Sequence, residues 1–471
     1  MTIRGTSSFI KRLAVNRRGN VMMIAAFSII PLTFAVGMGV DYSRAARLQT
    51  KLNALADAAA LAAVTKPMMS QTPTAAGTAS YNMWYKQAAG SEGMLTSYAT
   101  TPTTSSSTTT YTKNDGTFTV SVVDSNTNGL NRTATVTWHA ASRNWFSGIL
   151  GSPSIEIGGT SAATSKQAPN IDFYMMLDTS PSMLLPATSA GLTQMTTATG
   201  GCAFACHQTT TTSTDPGNTQ KVNGAYQDYY AVARGLIPAV KLRTDLVSDA
   251  VSNLTTVAAS TATSNGAIYR MGLADFDYMY RQLWPTSPIN GFYVDSNLTQ
   301  VKSHVGDAQV LPYCRNNQRV CNVSDNDTGT NFTTAFNGAL GTLPAAPGNG
   351  TNVAGDTPQA ILFLITDGMR DESTSGGRAM GPLPGALCDS IKARGVRIAV
   401  LYTKYLPESA SDPWSISNVK TPYLTPPDKI SPALLSCASS GLYYEVTTDD
   451  DISAALAALF NKAIATARLS Q

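Results

Sequence analysis

The stretch Ile171-Asp172-Phe173-Tyr174-Met175-Met176-Leu177-Asp178-Thr179-Ser180-Pro181-Ser182 decides how the rest of the chain is read. An apolar run of strand character stops at one carboxylate and two hydroxyls on alternate residues. Asp178, Ser180 and Ser182 are hard oxygen donors, the kind that Mg²⁺ or Ca²⁺ takes. A strand that ends in such a group places it at the carboxyl edge of a sheet, where open α/β sheets bind ligands. In a chain this rich in serine the D-x-S-x-S string is a weak signal alone. Its weight depends on later residues completing a site.

Beyond Asn170 the pattern alternates between strands and helices, an α/β signature. Strands are expected over 171–177 and 267–276, the second ending at Asp277, with a helix of strong apolar stripe over 226–258 between them. Thr330 precedes a helical run at 335–340. The most hydrophobic strand, 360–365, reads as buried and parallel and ends in Thr366-Asp367-Gly368. Residues 396–402 form another strand and 442–446 an edge strand. Asp449 or Asp450 can cap a last helix whose inner face carries Ile452, Leu456, Leu459 and Ala463.

Asp178-x-Ser180-x-Ser182, then Gly329-Thr330-Asn331 before a helix, then Thr366-Asp367-Gly368 after a buried strand, together resemble the von Willebrand factor A domain over about 170–468. The resemblance implies a Rossmann-like, mostly parallel sheet flanked by helices, and a metal-ion-dependent adhesion site. Ser180, Ser182 and Thr330 would supply hydroxyl oxygens; Asp178 and Asp367 would supply charge, often through bound water. The ion would be a divalent cation, Mg²⁺ or else Ca²⁺ or Mn²⁺. Two carboxylates balance it, neutral hydroxyls keep it electrophilic, and an open position can accept a partner's carboxylate. The interval from Asp178 to Thr330 is longer than is usual in this family, so inserts are expected near 184–225 and 285–328. Gly350-Thr351-Asn352 repeats the Gly-Thr-Asn string; Thr330 is preferred because a helix-forming run follows it.

Toward the amino end, 166–170 reads as a linker. Phe118, Val120 and Val122 alternate with polar residues, as do Ala134, Val136 and Trp138, and Ile155 to Ile157 adds a third apolar patch before Gly158-Gly159. Thr101–Thr110 is low-complexity and reads as a solvated loop. Trp138, His139 and Trp145 read as packed aromatics more readily than as a binding patch. Leu48, Leu52, Leu55, Ala59 and Ala62 form one stripe of a helix, with Asp57 on its solvated side. A small α+β domain of pilin-like layout, a long helix followed by antiparallel strands, is expected over 41–165.

Residues 1–18 carry five basic side chains and no acid, and the 22 residues of 19–40 carry no charge. As a helix the uncharged run would span about 33 Å, enough for a bilayer core. The basic flank would stay in the cytoplasm, and the bulk would be periplasmic or surface-exposed, with the anchor in the inner membrane. A cleaved signal peptide would be shorter, and the run's one small-x-small site, Ala35-Val36-Gly37, lies deep within it. Pro31 can bend the span without preventing insertion. Arg17-Arg18-Gly19-Asn20, the apolar span, Val40-Asp41-Tyr42-Ser43-Arg44 and Leu55-Ala56-Asp57-Ala58-Ala59-Ala60-Leu61-Ala62 resemble the TadE/TadG-like Tad (Flp) pilus-assembly proteins over 12–65. Ile24 stands where prepilin processing would want a Glu, so the likeness is to the unprocessed TadG branch. The resemblance implies pilus or secretion components as partners.

Composition excludes other classes. A net charge of +3 and the absence of a dense basic run argue against nucleic acid. No nucleophile elbow, Cys/His pair with a helper or phosphate-cradling glycine loop occurs, so no enzyme is expected; Asp371-Glu372 reads as part of a solvated loop. The six cysteines, Cys202, Cys206, Cys314, Cys321, Cys388 and Cys437, favour disulfides in an exported chain. Cys388 with Cys437, Cys314 with Cys321 and Cys202 with Cys206 are the near pairings. Cys202-x-x-x-Cys206-His207 is one residue too long for haem attachment and lacks further zinc ligands nearby. Asn297-Leu298-Thr299 and Asn331-Phe332-Thr333 match glycosylation sequons, as chance would give in a Thr-rich chain. Two other functions stay open: a metal-dependent adhesin or matrix-binding protein unrelated to pili, and an accessory domain like those of metal chelatases, which the anchor disfavours.

Overall fold

The computed structural model describes residues 18–88, 103–105, 108–113, 116–125, 130–198, 221–222, 225–226, 240–311, 329–351, 355–405, 407–411, 413–447 and 450–467. Two compact units emerge: residues 1–125 with 131–166, and residues 126–130 with 167–471.

The first unit is built on one helix, α1 (Arg18–Ala63), continuous through Pro31. It is long and apolar enough to cross a membrane. Its two parts bury opposite amounts of surface. Met22, Phe27, Leu32 and Val36 are exposed, while Leu48, Leu52, Leu55 and Ala59 are buried. The second set, at helical spacing, packs on a sheet. That sheet is an antiparallel meander of β1 (Thr103–Ser105), β2 (Thr108–Lys113), β3 (Gly116–Ser125), β4 (Asn131–Arg143) and β5 (Ser154–Lys166). Phe118, Val120, Val122, Ala134, Val136 and Trp138 form its covered face. The Ser/Thr run expected as a loop instead supplies β1 and β2, because β-branched threonine fits a pleated edge. Helix α2 (Pro73–Ala88), which sequence patterning left unread, inserts Trp84 beside Phe118 and Trp138. Gly159 lets α1 approach: a Cβ there would lie 2.1 Å from Asn53 Oδ1. Of the three residues weighed as a patch, Trp138 is core, whereas Trp145 is 66% exposed.

The second unit holds a six-stranded sheet. Its members are β6 (Ile171–Asp178), β7 (Tyr269–Phe276), β8 (Tyr280–Trp284), β9 (Gln359–Thr366), β12 (Arg397–Thr403) and β13 (Tyr443–Val446), in the spatial order β8-β7-β6-β9-β12-β13. Strands β10 (Met369–Thr374) and β11 (Gly377–Pro382) form a separate hairpin. Counting only sheet members, the order is 3-2-1-4-5-6, the doubly wound arrangement, with β8 as the sole antiparallel strand. All eight residues of β6 are buried, as a strand covered on both faces requires. Phe173, Met175 and Leu177 face a core shared with α4 (Arg243–Asn265) and α9 (Ile452–Ala467). Tyr174 and Met176 face α6 (Phe332–Thr342), α7 (Gly385–Lys392) and α8 (Ile430–Cys437).

Several expectations are corrected here. Of the helix expected over 226–258, residues 243–258 lie in α4, which starts at Arg243 after a turn in which Asp245 accepts the Leu242 amide at 3.1 Å; residues 227–239 lie outside the described residues. Strand β8, absent from the sequence reading, closes one edge. The last helix is capped by Asp451, which accepts Ala454 N at 3.0 Å, while Asp450 binds Thr447; Asp449 lies outside the described residues. Asn297 and Asn331, the sequon asparagines, are both helix N-caps. Cys388 and Cys437 are disulfide-bonded, joining α7 to α8. Cys202, Cys206, Cys314 and Cys321 lie outside the described residues, as do most of the first expected insert and residues 312–328 of the second.

Candidate metal centre

In the 3-2-1-4-5-6 order the chain reverses direction of travel between β6 and β9. Helices leave opposite faces there and open a crevice beyond the strands' carboxyl ends. Asp178 is the last residue of β6, and Asp367 follows the last residue of β9. Register aligns Ile365 with Leu177, so the two acids leave adjacent strands at the same level. Their proximity is a product of topology, since 188 residues separate Asp178 from Thr366, whose hydroxyl donates to Asp178 Oδ2 at 2.5 Å.

The first loop folds back on its own acid. Ser180 N donates to Asp178 Oδ1 at 2.9 Å, and the Ser180 and Ser182 hydroxyls lie 3.0 Å apart. That separation fits a cis edge of an octahedron, about 2.9 Å for oxygens bonded to Mg²⁺ at about 2.05 Å. Thr330 is pinned by its backbone: its amide donates to Asp371 O at 2.9 Å, and Asp371 N returns a bond at 3.0 Å. Asn331 N donates to Asp277 O, tying the same loop to the end of β7. Gly329 lies against the first loop so closely that a Cβ would come within 2.7 Å of Pro181 Cδ. All five residues are buried, from 0% exposed for Ser180 and Asp367 to 7% for Ser182. The repeated Thr351 is elsewhere. It binds Asp356, and the adjoining Gly350 O accepts Asn170 N at the start of β6, the opposite edge of the sheet.

Electrostatically the site is acidic and dry. Burial first, then the charge of Asp367, pushes the Asp178 carboxyl up to about 7, although bonds from Ser180 and Thr366 oppose the rise. Burial also raises Asp367, against the pull of Arg243. Asp367 Oδ1 accepts Met369 N at 3.2 Å, but Oδ2 has no hydrogen-bond partner among the described residues. The Arg243 guanidinium faces that oxygen at 3.8 Å, and the Ser182 and Tyr405 hydroxyls help to hold the carboxylate's charge. No three His, Cys, Asp or Glu side chains converge among the described residues. The cluster is two carboxylates with hydroxyls, a set that suits a hard divalent ion and not zinc-type ligation.

Arg243 escaped the sequence reading. Buried at the start of α4, it places Nη1 3.8 Å from Asp367 Oδ2, donates through Nη2 to Lys404 O at 2.8 Å, and lies 5.0 Å over the Tyr405 ring. No local pattern marks it, because every partner comes from another part of the chain. Next along the edge, Arg281 bridges Asp275 and Asp277 and reaches Thr179 at 3.1 Å. Asp371 and Glu372 are not a solvated pair: Asp371 binds Arg378, while buried Glu372 binds Arg370 and accepts from Thr333.

Comparisons with known proteins add the following. No curated protein matches the chain. Solved structures with similar folds include the conserved hypothetical protein BatB from Bacteroides thetaiotaomicron, at 13% identity and TM-score 0.32, covering 63% of this chain and 100% of that one. The vWF domain of the type V pili tip protein Mfa5 from Porphyromonas gingivalis is 10% identical, at TM-score 0.32, with 64% and 96% covered. Proximal thread matrix protein 1 from the mussel byssus, solved with a zinc-occupied MIDAS motif, is 12% identical, at TM-score 0.31, with 64% and 49% covered. At such identities and scores these likenesses add nothing to the fold class that the strand order already shows. The family model described as putative Flp pilus-assembly TadE/G-like matches residues 19–66. The chain thus carries a TadE/G-like segment over residues 19–66 and, in its second unit, a doubly wound α/β fold with a mostly parallel sheet.

Proposed function

We propose that this chain is a membrane-anchored pilus-assembly or anchoring protein that docks a protein partner through a divalent ion held by Asp178, Ser180, Ser182, Thr330 and Asp367. The observation that carries the reading is the meeting of two buried carboxylates, Asp178 and Asp367, with the adjacent Ser180 and Ser182 hydroxyls at the topological switch point. The TadE/G-like match to residues 19–66 supports the pilus context, and the uncharged run of α1 supports an inner-membrane anchor with the bulk outside the cytoplasm.

The ion would act as an electrostatic bridge, without a catalytic step. Sequence reasoning balanced it with two carboxylates alone, but Arg243 changes the count. With Arg243 beside Asp367, a bound divalent ion leaves the immediate cluster one positive charge in excess. A partner carboxylate entering the crevice removes that excess, whereas a neutral or basic group does not. Calorimetric titration of the full chain with Mg²⁺ tests the ion: the Asp178→Ala, Asp367→Ala double variant should lose binding while its circular dichroism is preserved. Unchanged Mg²⁺ affinity would sink the metal reading. Capture of pilus or secretion components from intact cells, lost with a chelator, tests the partner. Capture of host or matrix proteins alone would favour the adhesin reading.

A further inference from the structure

The first unit carries an apolar prominence beside its membrane-length helix. After β4 the chain turns through Trp145 and Phe146 into a short 3₁₀ turn, Ser147–Leu150. Trp145 is 66% and Ile149 74% exposed. Phe146, by contrast, lies against α1 at Gly37, where a Cβ would come within 2.4 Å of its ring. Gly37 is buried although Val36 and Met38 beside it are exposed, so the turn sits on the uncharged run 19–40. A glycine there is what allows an aromatic ring to lie on the helix backbone.

Asp41 holds the turn in place. Its carboxylate accepts the amides of Trp145 at 2.8 Å, Phe146 at 3.0 Å and Ser147 at 2.8 Å, together with the Ser147 hydroxyl at 3.0 Å. One helical turn on, the Arg44 guanidinium lies 3.8 Å over the Trp145 ring, and its Nη1 has no hydrogen-bond partner among the described residues. Tyr42, 71% exposed, stands at the same level.

We infer that residues 145–149 form an interfacial foot, seated in the headgroup–acyl boundary of the bilayer that α1 crosses. The occupant is lipid, because Phe146 seats the turn on Gly37 within the membrane-length apolar run, between exposed Val36 and Met38. Tryptophan, tyrosine and arginine at the end of an apolar span are the side chains that settle at that boundary. The Asp41 carboxylate is spent on backbone amides, so the foot presents no uncompensated acid to lipid. The foot fixes how deep the antiparallel sheet rides and at what tilt, which a lone helix leaves free.

This inference rests on α1 being the membrane anchor, and the test separates the two. The full chain is reconstituted into phosphatidylcholine–phosphatidylglycerol vesicles, and tryptophan fluorescence is read with lipids brominated near the headgroup or near the chain end. The expected result is stronger quenching by the shallow bromines, with loss of most of that quenching in Trp145→Phe and a clear reduction in Asp41→Asn. Flotation with the vesicles reports the anchor. A chain that floats, yet is quenched equally in wild type and Trp145→Phe, overturns the foot and leaves the anchor standing. A chain that does not float overturns both. Shielding of Trp145 from acrylamide without any bromine effect would mean that a second copy or another protein covers the patch, and would also overturn the inference.

Discussion

Replacing Asp178 by Asn should stabilise the metal-free protein while abolishing its response to Mg²⁺. Burial and the neighbouring Asp367 push the Asp178 carboxyl from an ordinary value near 4 to about 7. A carboxyl raised in this way is protonated in the fold at pH values where the unfolded chain has already released its proton. Stability is therefore lost as pH rises from about 4 to about 7 and stays lost above. The rise corresponds to a cost on the order of 4 kcal/mol above pH 7, at about 1.4 kcal/mol per tenfold change in equilibrium. Asn keeps the volume, can accept Ser180 N and can donate to Thr366 Oγ1, so the cost disappears without a cavity. Thermal unfolding of the full chain in detergent with chelator, followed by circular dichroism at pH 4 to 8, reads the difference. The variant should match wild type at pH 4 and melt higher by on the order of 10 °C at pH 8, taking roughly 2–4 °C per kcal/mol. Mg²⁺ at a hundredfold its dissociation constant should add about 2.7 kcal/mol to wild type and nothing to the variant. A variant no more stable than wild type at pH 8, or a difference independent of pH, would refute the reasoning.

Other perturbations reach the same site by different routes. Gly329→Ala should push the Thr330 loop off Pro181, weakening Mg²⁺ binding in calorimetry at least about tenfold while moving the melting point by less than that of a core deletion. Arg243→Met should destabilise the chelated protein by roughly 3 kcal/mol or more, because Asp367 loses its one cationic neighbour; Mg²⁺ should recover part of that loss, and equal losses with and without Mg²⁺ would count against a shared site. Cys388→Ala with Cys437→Ala should cost roughly 4 kcal/mol in denaturant unfolding, from the loop-closure entropy of a 49-residue separation.

Strands β6 and β9 could be read from sequence because both of their faces are buried, which writes the pattern as an unbroken apolar run. Asp178 and Asp367 could be read because each interrupts such a run. What could not be read is what long-range packing alone creates. Asp172, the second residue of β6, is bound by Arg270 of the neighbouring strand at 2.6 and 2.7 Å, a pairing that no local pattern announces. Arg243 meets its partners, Asp367 and Lys404, only through the winding of the sheet. Glu372 resembled a solvated acid because its neighbours are polar, whereas it is buried under its bonds to Thr333 and Arg370. Helix α2 buries Ala76, Ser80 and Trp84 at spacings of four, but two of the three are small or polar, so the stripe carried no apolar signal in the sequence.

The continuity of α1 gives the first unit a mechanical character. One rod of about 69 Å carries both the membrane-length apolar run and the part under the sheet, as a single continuous helix. The Gly159 seat and the Asp41 clamp lock the sheet to particular faces of that rod. Torque applied at either end is therefore delivered to the other without slack. A shift of one residue in the register of the apolar run against whatever holds it would swing the sheet by about 100° around the rod's axis. The azimuth of the sheet is thus coupled to the register of that run, and a tug on the sheet becomes a twist or a pull on it.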